Sequence, residues 1–582
     1  MPTVNVDVVT LYAQIGREFT DKEFEDLCFD FGIELEDVTS SHELSGKEEG
    51  ENRKIYRIDI PANRYDMLCV EGIARAIRTY LEIERPPVYK VTKPAKMHQL
   101  HVGKETAQIR PYVVAAILRN VEFDQLRYDG FIELQDKLHN NICRKRTLVA
   151  IGTHDLDTIT GPFYYEAQPP QDINFIPLNQ TKKMNGHELM EFYQSDRKLS
   201  KFLHIIKDSP VYPVVYDGEK RVLSLPPIIN GDHSKISKDS KNIFIECTAT
   251  DLNKAKVVLN TIVAMYSTYA KEKFTVEPVE VVYPDGKKYV YPDVAPRQMS
   301  AKVDYINSCI GIKATPEELA KYVSRMSLDA KVSADKSEVI CDIPITRSDI
   351  LHACDIMEDA AVAYNFNKIT ETHPATNTIA QPFPINKLTD MLRREIANAG
   401  YTEGLAFTLC SHDENFKFLN KIDNHEAVTL ANPRTAEFQV VRTSLLPGIL
   451  KTISANKHLP LPLKLFEIQD IVLRDETVER RARNQRNFSA IYCNKTSGFE
   501  RIHGLVDRLM QILNVKRVPA GKLGGYYIKE STNPTFFEGR RADLYYQGNV
   551  VGSFGVVHPE VLGHFEITFA CSALEINIEP FL

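Results

Sequence analysis

This sequence predicts a multidomain α+β fold, and three observations carry the prediction. The chain has 582 residues, more than a single hydrophobic core usually organises. With 43% hydrophobic and 26% charged residues, it has the composition of globular domains and enough apolar material for several cores. Stretches with apolar residues at helical spacing alternate with short strand-like runs along the whole length.

Taken in order, the elements group into four modules. In the first, residues 1–93, the segment TDKEFEDLCFDFG opens with a capping box, Thr20 and Glu23. Phe24, Leu27, Cys28 and Phe31 then form one helical stripe, which Gly32 ends. A polar loop from Ser40 to Arg53 leads into the phrase DIPANRYD and another helix, and the proline-rich ERPPVYKVTKP closes the module. The second module, residues 110–279, mixes strands (YVVAAILRNVEF, LVAIG, NIFIECTAT) with helices (YDGFIELQDKLHNNICRKR, DLNKAKVVLNTIVAMYSTYA), as a compact α+β domain does. Its basic triplet, Arg144 to Arg146, reads as a solvated helix end. The third module, residues 297–372, starts a helix at the capping box Thr315 and Glu318 and then repeats the earlier phrase as DIPITRSD. The fourth, residues 382–582, alternates long helices with strands such as LKLFEIQDIVL, FSAIYCN, ADLYYQG and VVGSFGVV, an antiparallel sheet with helices packed on it.

Composition also excludes several classes. The net charge of −7 denies the chain a global positive field, so any nucleic-acid contact is local or shared with a partner. No two of the ten cysteines stand at C-x-x-C spacing, which argues against a zinc ribbon and a secreted disulfide scaffold. Cys28, Cys69 and Cys354 fall in helical apolar patterns and read as reduced core residues. The first stretch, MPTVNVDVVTLYAQIGREFT, has neither a signal-type apolar core nor an arginine-rich transit pattern. No run of about 18 apolar residues spans a membrane, so a cytoplasmic protein is expected.

The repeated phrase raises a chemical question. Its copies share Asp59/Asp342, Pro61/Pro344, Arg64/Arg347 and Asp66/Asp349, and both lead into an apolar helix. Only the second adds Asp355, Glu358 and Asp359, where the first has Gly72, Arg75 and Ala76. On a helix beginning at Ile350 with Asp349 as its N-cap, these acids fall within an arc of roughly 100°. Ile350, Cys354, Ile356, Met357, Ala360 and Ala361 lie mostly opposite. Two readings stay open. A solvated acidic face absorbs the few tenths of a kcal/mol by which like charges repel at helical spacing. A hard cation with oxygen ligands, namely magnesium, draws the carboxylates together instead. The shared residues read as structural and the extra acids as dispensable to the fold, because the first copy lacks them.

Longer motifs then point to a family. The run D-I-P-x-x-R-x-D-I-x-x-x-x-D-I-x-E-D, the phrase PPIINGDHSKI, FIECTATD and the C-terminal SALEINIEPFL all occur in this chain. Over nearly its whole length it resembles the beta subunits of cytosolic phenylalanine–tRNA ligase of the eukaryotic and archaeal type. The resemblance implies a heterotetramer of two alpha and two beta subunits. The alpha subunit attaches phenylalanine to tRNA at the expense of ATP, so no aminoacylation residues are expected here. The beta subunit hydrolyses mischarged tyrosyl-tRNA in its second module. Magnesium ligands are implied at Asp349, Asp355, Glu358 and Asp359, at the boundary with alpha. An acidic reader of the tyrosine hydroxyl is implied at Glu246, a glutamate where archaeal relatives have aspartate.

Strand alternation sets Glu246 and Thr248 on one face, and VLSLPPIIN supplies Ser224, Pro227 and Asn230 as further pocket walls. No Ser-His-Asp or Cys-His arrangement is recognisable nearby; His154 and His233 have no evident orienting carboxylate in sequence. The fourth module resembles the class II synthetase fold, with LKLFEIQDIVL as its strand-rich second motif. It lacks G-x-G-x-G-x-x-R, which implies a catalytically silent copy packed on the live one in alpha. Ala431 to Ile453, with Arg434 and Arg442, is expected near that interface. The alternatives are a non-enzymatic RNA- or protein-binding assembly subunit and a free-standing aminoacyl-ester hydrolase.

Overall fold

The computed structural model describes residues 2–46, 52–374, 376 and 379–582. The chain separates into two units, Met1–His373 and Pro374–Leu582.

The first unit opens with strand β1 (Thr3–Asp7), a helix Val8–Ile15, helix α1 (Asp21–Phe31), β2 (Glu34–Ser40), β3 (Lys54–Asp59) and α2 (Val70–Tyr80). The Thr20–Glu23 capping box starts α1, and Gly32 ends it at a φ of 86° that only glycine adopts freely. The polar loop expected from Ser40 to Arg53 holds a one-turn helix, Ser41–Ser45; residues 47–51 lie outside those described.

There follow β4 (His98–Val102), β5 (Tyr112–Leu118), α3 (Gln125–Asn140), β6 (Val149–Asp155), β7 (Phe163–Gln168), β8 (Tyr212–Tyr216), β9 (Val222–Leu225), β10 (Ile243–Ala249), α4 (Leu252–Tyr266), β11 (Thr275–Val282) and β12 (Lys288–Tyr291). With the short strands Lys90–Val91 and Ile229–Asn230 they build an eleven-stranded sheet whose main path runs from Ile229–Asn230 through β9, β8, β7, β4, β11, β5 and β10 to β6. Helix α4 packs on β5 and β10, and α3 on β6 and α4. One core joins this sheet to the first module, from Phe24 and Tyr56 to Phe244 and Tyr266.

The unit ends with β13 (Arg297–Lys302), a helix Val303–Ile310, α5 (Pro316–Arg325), β14 (Asp329–Val332), β15 (Glu338–Ile343) and α6 (Ala353–Tyr364). This is the first module over again. Each copy runs strand–helix–helix–strand–strand–helix, and each antiparallel sheet has its last strand in the middle, β1–β3–β2 and β13–β15–β14. Each first helix ends on a left-handed glycine, Gly16 or Gly311, and each second helix starts from a threonine capping box. The repeated DIP phrase is thus the legible part of a duplicated module.

The copies differ where the last helix begins. A Cβ at Gly72 would lie 1.7 Å from the Asp66 carbonyl oxygen, so glycine lets that segment press onto α2. At the matching position Asp355 uses its side chain instead, accepting from the amides of Leu351 and His352. Both copies start this helix at the same register, Val70 and Ala353, so α6 begins at Ala353 rather than Ile350 and its N-cap is His352 rather than Asp349. Cys354, expected in the core, is exposed at this start; Cys28 and Cys69 are buried.

In the second unit, α7 (Pro384–Asn398), α8 (Leu446–Ala455) and α9 (Phe499–Ile512) flank a seven-stranded sheet. Its strands are β16 (Leu463–Arg474), β17 (Ala482–Asn494), β18 (Tyr526–Glu530), β19 (Phe536–Tyr546), β20 (Asn549–Val557) and β21 (Ala570–Asn577), with Thr402–Glu403 on the edge. The order is Thr402–Glu403, β16, β17, β21, β20, β19, β18, antiparallel except at that edge. Leu392, Ile396, Val506 and Leu509 of α7 and α9 cover one face; Ile449 and Leu450 of α8 cover the other.

Candidate functional site

Glu246 stands in the middle of β10, between Ala115 of β5 and Gly152 of β6. It is only 1% exposed. Its Oε1 accepts from the Ser224 hydroxyl on β9 at 2.7 Å, and its Oε2 has no hydrogen-bond partner among the described residues. A Cβ at Gly152 would come within 2.1 Å of Oε1, so glycine at this point of β6 makes room for the carboxylate. His154, also on β6, brings Nε2 to 3.9 Å from Oε1, too far for a hydrogen bond, while its Nδ1 meets Ser234 Oγ at 2.8 Å. β10 thus brings a carboxylate near His154, but Nε2 hydrogen-bonds no group among the described residues and the histidine is held through Ser234 alone.

Five strands separate β9 from β10 along the sheet, yet their side chains touch. The sheet curls until its two ends meet. Asn230 on the first strand donates to the Thr153 carbonyl on the last at 3.5 Å, and the Asp155 amide donates to the Ser234 carbonyl at 2.9 Å. A cavity of about 790 Å³ opens at this seam, with Glu246, Ser224, Pro227 and Asn230 in its walls. Thr248 shares the Glu246 face of β10 but lies outside the cavity wall; it is buried and its carbonyl accepts from Arg110.

Three wall residues escaped the sequence reading: His139, Arg146 and Tyr193. Each holds a buried polar atom without a partner among the described residues, respectively Nδ1, Nε and the hydroxyl. Burial drives His139 well below the usual imidazole range, leaving it neutral, and pushes the Tyr193 hydroxyl up to about 12. The basic triplet is not a helix end. Arg144, Lys145 and Arg146 have φ of 44°, 52° and 67°, a left-handed turn beyond α3. It leaves Arg144 and Lys145 exposed and folds Arg146 inward, where it donates to the Pro227 and Ile228 carbonyls at 3.2 and 3.0 Å. His139 and Tyr193 left no local signal, because each sits in an ordinary helical pattern.

The four carboxylates of the second repeat divide. Asp349 and Asp359 both face Arg347, which is 1% exposed; Nη2 lies 2.7 Å from Asp349 Oδ2 and 2.9 Å from Asp359 Oδ2. Asp355 caps α6, and Glu358 is exposed. Among the described residues no three histidine, cysteine or acidic side chains converge as a metal site. A guanidinium holds the position that a cation bridging Asp349 and Asp359 would need, so these acids do not fit a single magnesium cage. The first copy makes the same pair, Arg64 to Asp66 at 2.9 and 2.8 Å. The two pairs also feel each other: Arg64 draws on Asp349 and Asp359, and Asp66 on Arg347. Burial holds Asp359 up to about 6; against the same push, Arg347 keeps Asp349 below the usual carboxylate range.

In the second unit, Arg442 is spent inside the fold rather than on a surface. It is 4% exposed and donates to Glu467 Oε1 at 2.7 Å and to the Asp470 and Ala406 carbonyls. Arg434 is exposed. Among the described residues no helix is long and apolar enough to cross a membrane.

Comparison with known proteins agrees with this architecture. Family models match residues 1–83 (Phe-tRNA synthetase beta subunit B1 domain), 110–278 (B3/4 domain), 299–366 (tRNA synthetase B5 domain) and 369–578 (phenylalanyl tRNA synthetase beta chain CLM domain). The phenylalanine–tRNA ligase beta subunit of Homo sapiens is 53% identical, and that of Drosophila melanogaster 54%, each over 100% of both chains. The Arabidopsis thaliana relative, named cytoplasmic, is 50% identical over 100% of both. An N-terminal fragment of the Pyrococcus horikoshii beta subunit, solved by crystallography, is 33% identical with a TM-score of 0.56, covering 62% of this chain and 99% of its own. These matches give the assembly-protein alternative no support. The chain belongs to the beta-subunit family of phenylalanine–tRNA ligase.

Proposed function

We propose that this chain supports phenylalanine charging as the beta partner of an alpha subunit and clears mischarged tyrosyl-tRNA in the cavity over Glu246. The observation that carries the reading is the divided carboxylate on a residue that lines a cavity of about 790 Å³: Oε1 engaged by Ser224, Oε2 buried with no hydrogen-bond partner among the described residues.

The physics explains why such a site is useful. A pocket shaped for phenylalanine rejects a ligand that merely adds a hydroxyl by only about 10². A second sieve with a buried acceptor reverses the preference: tyrosine satisfies the free oxygen, and phenylalanine leaves it unpaired at a cost of about 1–3 kcal/mol. Ser234 meets His154, but among the described residues that histidine hydrogen-bonds no carboxylate, and Ser224 bonds Glu246 with no histidine between them, so neither serine is set up as a nucleophile. Hydrolysis of the ester then falls to a positioned water, helped by the neighbouring ribose hydroxyl of the tRNA end.

The remaining assignments belong to the same proposal. Residues 1–93 and 297–372 serve as paired scaffold modules around the 110–279 editing module. Residues 382–582 form a silent class II synthetase-like domain that docks the alpha subunit. The assembly is a cytoplasmic heterotetramer with tRNA as its macromolecular substrate. Magnesium enters with the ATP used by the assembled enzyme, not through Asp349 and Asp359, which Arg347 already engages.

The test is Glu246→Ala in the assembled ligase. Deacylation of tyrosyl-tRNA is expected to fall at least about tenfold while phenylalanine charging persists. Deacylation at the wild-type rate rejects the assignment.

A further inference from the structure

A second cavity, of about 370 Å³, is lined by Tyr112, Tyr283, Tyr289, Tyr291, Lys104 and Lys287. Its rings form a contiguous surface: Tyr283 meets Tyr289 edge-on at 5.7 Å, and Tyr289 stacks on Tyr291 at 6.4 Å. Tyr289 is 45% exposed on β12, which among the described residues pairs only with β11. A large aromatic ring left open on a strand is costly in water unless something covers it.

The polar groups narrow what that cover is. Tyr283 accepts the Val113 amide, but no hydrogen bond among the described residues uses the hydroxyls of Tyr112, Tyr289 or Tyr291. Lys104 is exposed and has no acidic partner among the described residues, Lys287 pairs only with Asp285, and Lys256 sits 5.7 Å from the Tyr291 ring centre. The ligand thus presents a flat apolar face, edge donors and acceptors, and a negative charge. A nucleotide has all three. A proline-rich peptide also docks aromatic grooves, but its backbone offers no anion to Lys104.

The location separates this site from the first. Tyr112 is paired with Ala249, three residues along β10 from Glu246, about 10 Å away. An odd spacing points the two side chains to opposite faces of the sheet. A nucleotide held among the tyrosines is therefore not the terminal one whose ester reaches Glu246.

We infer that the tyrosine cavity binds one unstacked nucleotide of an RNA strand, with the base stacked on Tyr289, its edge toward Tyr283, and a phosphate at Lys104. It is an RNA-holding site beyond the editing cavity and does not depend on ester hydrolysis.

The experiment uses the full-length chain with its alpha subunit. Phenylalanine tRNA transcripts carrying 4-thiouridine are irradiated and crosslinked peptides mapped; a peptide spanning residues 283–291 is expected. A labelled single-stranded RNA decamer is titrated in parallel. Tyr289→Ala weakens its binding about tenfold, and Tyr289→Phe, which keeps the stacking face, stays close to wild type. Lys104→Glu flattens the salt dependence by about 0.7 in the log–log slope. Both positions are exposed, and a Tm of the assembled enzyme within about 2 °C of wild type reports that the variants are folded. Wild-type RNA affinity in Tyr289→Ala with no crosslink at 283–291 overturns the inference. So does a proline-rich decapeptide whose binding, unlike that of RNA, is lost in Tyr289→Ala.

Discussion

Replacing Arg347 with leucine separates the guanidinium account of the second repeat from a magnesium account. The substitution removes the two-pronged bond to Asp349, the contact with Asp359 and the bond to the Met326 carbonyl. It leaves two carboxylates whose side chains are 6% and 8% exposed, with Arg64 as the remaining nearby cation. Stripping one partner from a buried ion pair costs about 3–5 kcal/mol. Arg347 serves two acids, which raises the cost, but Asp359 already binds its proton up to about pH 6 and relieves part of it by taking one up. A net loss of about 4 kcal/mol is expected, or roughly 8 °C in Tm at about 2 °C per kcal/mol for a large domain. Changing Arg347, Asp349 and Asp359 together to leucine should recover most of that loss, since a buried triad exchanged for apolar groups is close to neutral. Calorimetry with and without EDTA reads both. A wild type that loses as much stability in EDTA as the variant loses by mutation, or a variant rescued by added magnesium, refutes the reasoning.

Three further outcomes follow from contacts already described. Gly152→Ala drives a methyl group into Glu246 Oε1 at 2.1 Å; the side chain is flexible enough to move, so tyrosyl-tRNA deacylation should be lost while Tm stays within about 2 °C. His139 is held neutral by burial, so the unfolded chain binds a proton that the native state refuses. Its contribution is complete above about pH 6.5 and drains away below it at up to about 1.4 kcal/mol per pH unit; His139→Gln should flatten the urea midpoints between about pH 7 and pH 5. Arg442→Leu leaves Glu467, 1% exposed, without its guanidinium and should cost the second unit about 3–5 kcal/mol, most of it regained in Arg442→Leu/Glu467→Leu by calorimetry.

Capping boxes and strand alternation are legible in the sequence because residues a few positions apart decide them. The capping boxes at Thr20 and Thr315 depend on residues three apart, and both start the helices expected of them. The face shared by Glu246 and Thr248 follows from strand alternation, though only the wall's three-dimensional closure shows that Thr248 falls outside it. The start of α6 was misread because Asp349 looks like an N-cap until Arg347 is seen to claim it. Cys354 fits an apolar stripe only on a helix begun three residues too early. His139, Arg146 and Tyr193 were missed because their roles arise from residues far away in sequence: the Ile151 amide for one, the Pro227 carbonyl for another.

The seam explains both the strength and the hiddenness of the site. A curled sheet must close its ends with bonds that are not part of its ladder, and here these include Ser224 to Glu246, Asn230 to Thr153, Asp155 to Ser234 and His154 with Ser234. A recognition group placed at such a junction normally faces a conflict, because a ligand that competes for the closing bond opens the wall that holds it. Glu246 avoids this by having two oxygens. Oε1 accepts from Ser224 and keeps β9 against β10, while Oε2 is desolvated and unpartnered in the same plane. Desolvation makes the free oxygen a demanding acceptor, one that rewards a hydroxyl and penalises its absence. The ligand then completes the site without loosening it, and selectivity draws on a cost that the closed sheet has already imposed.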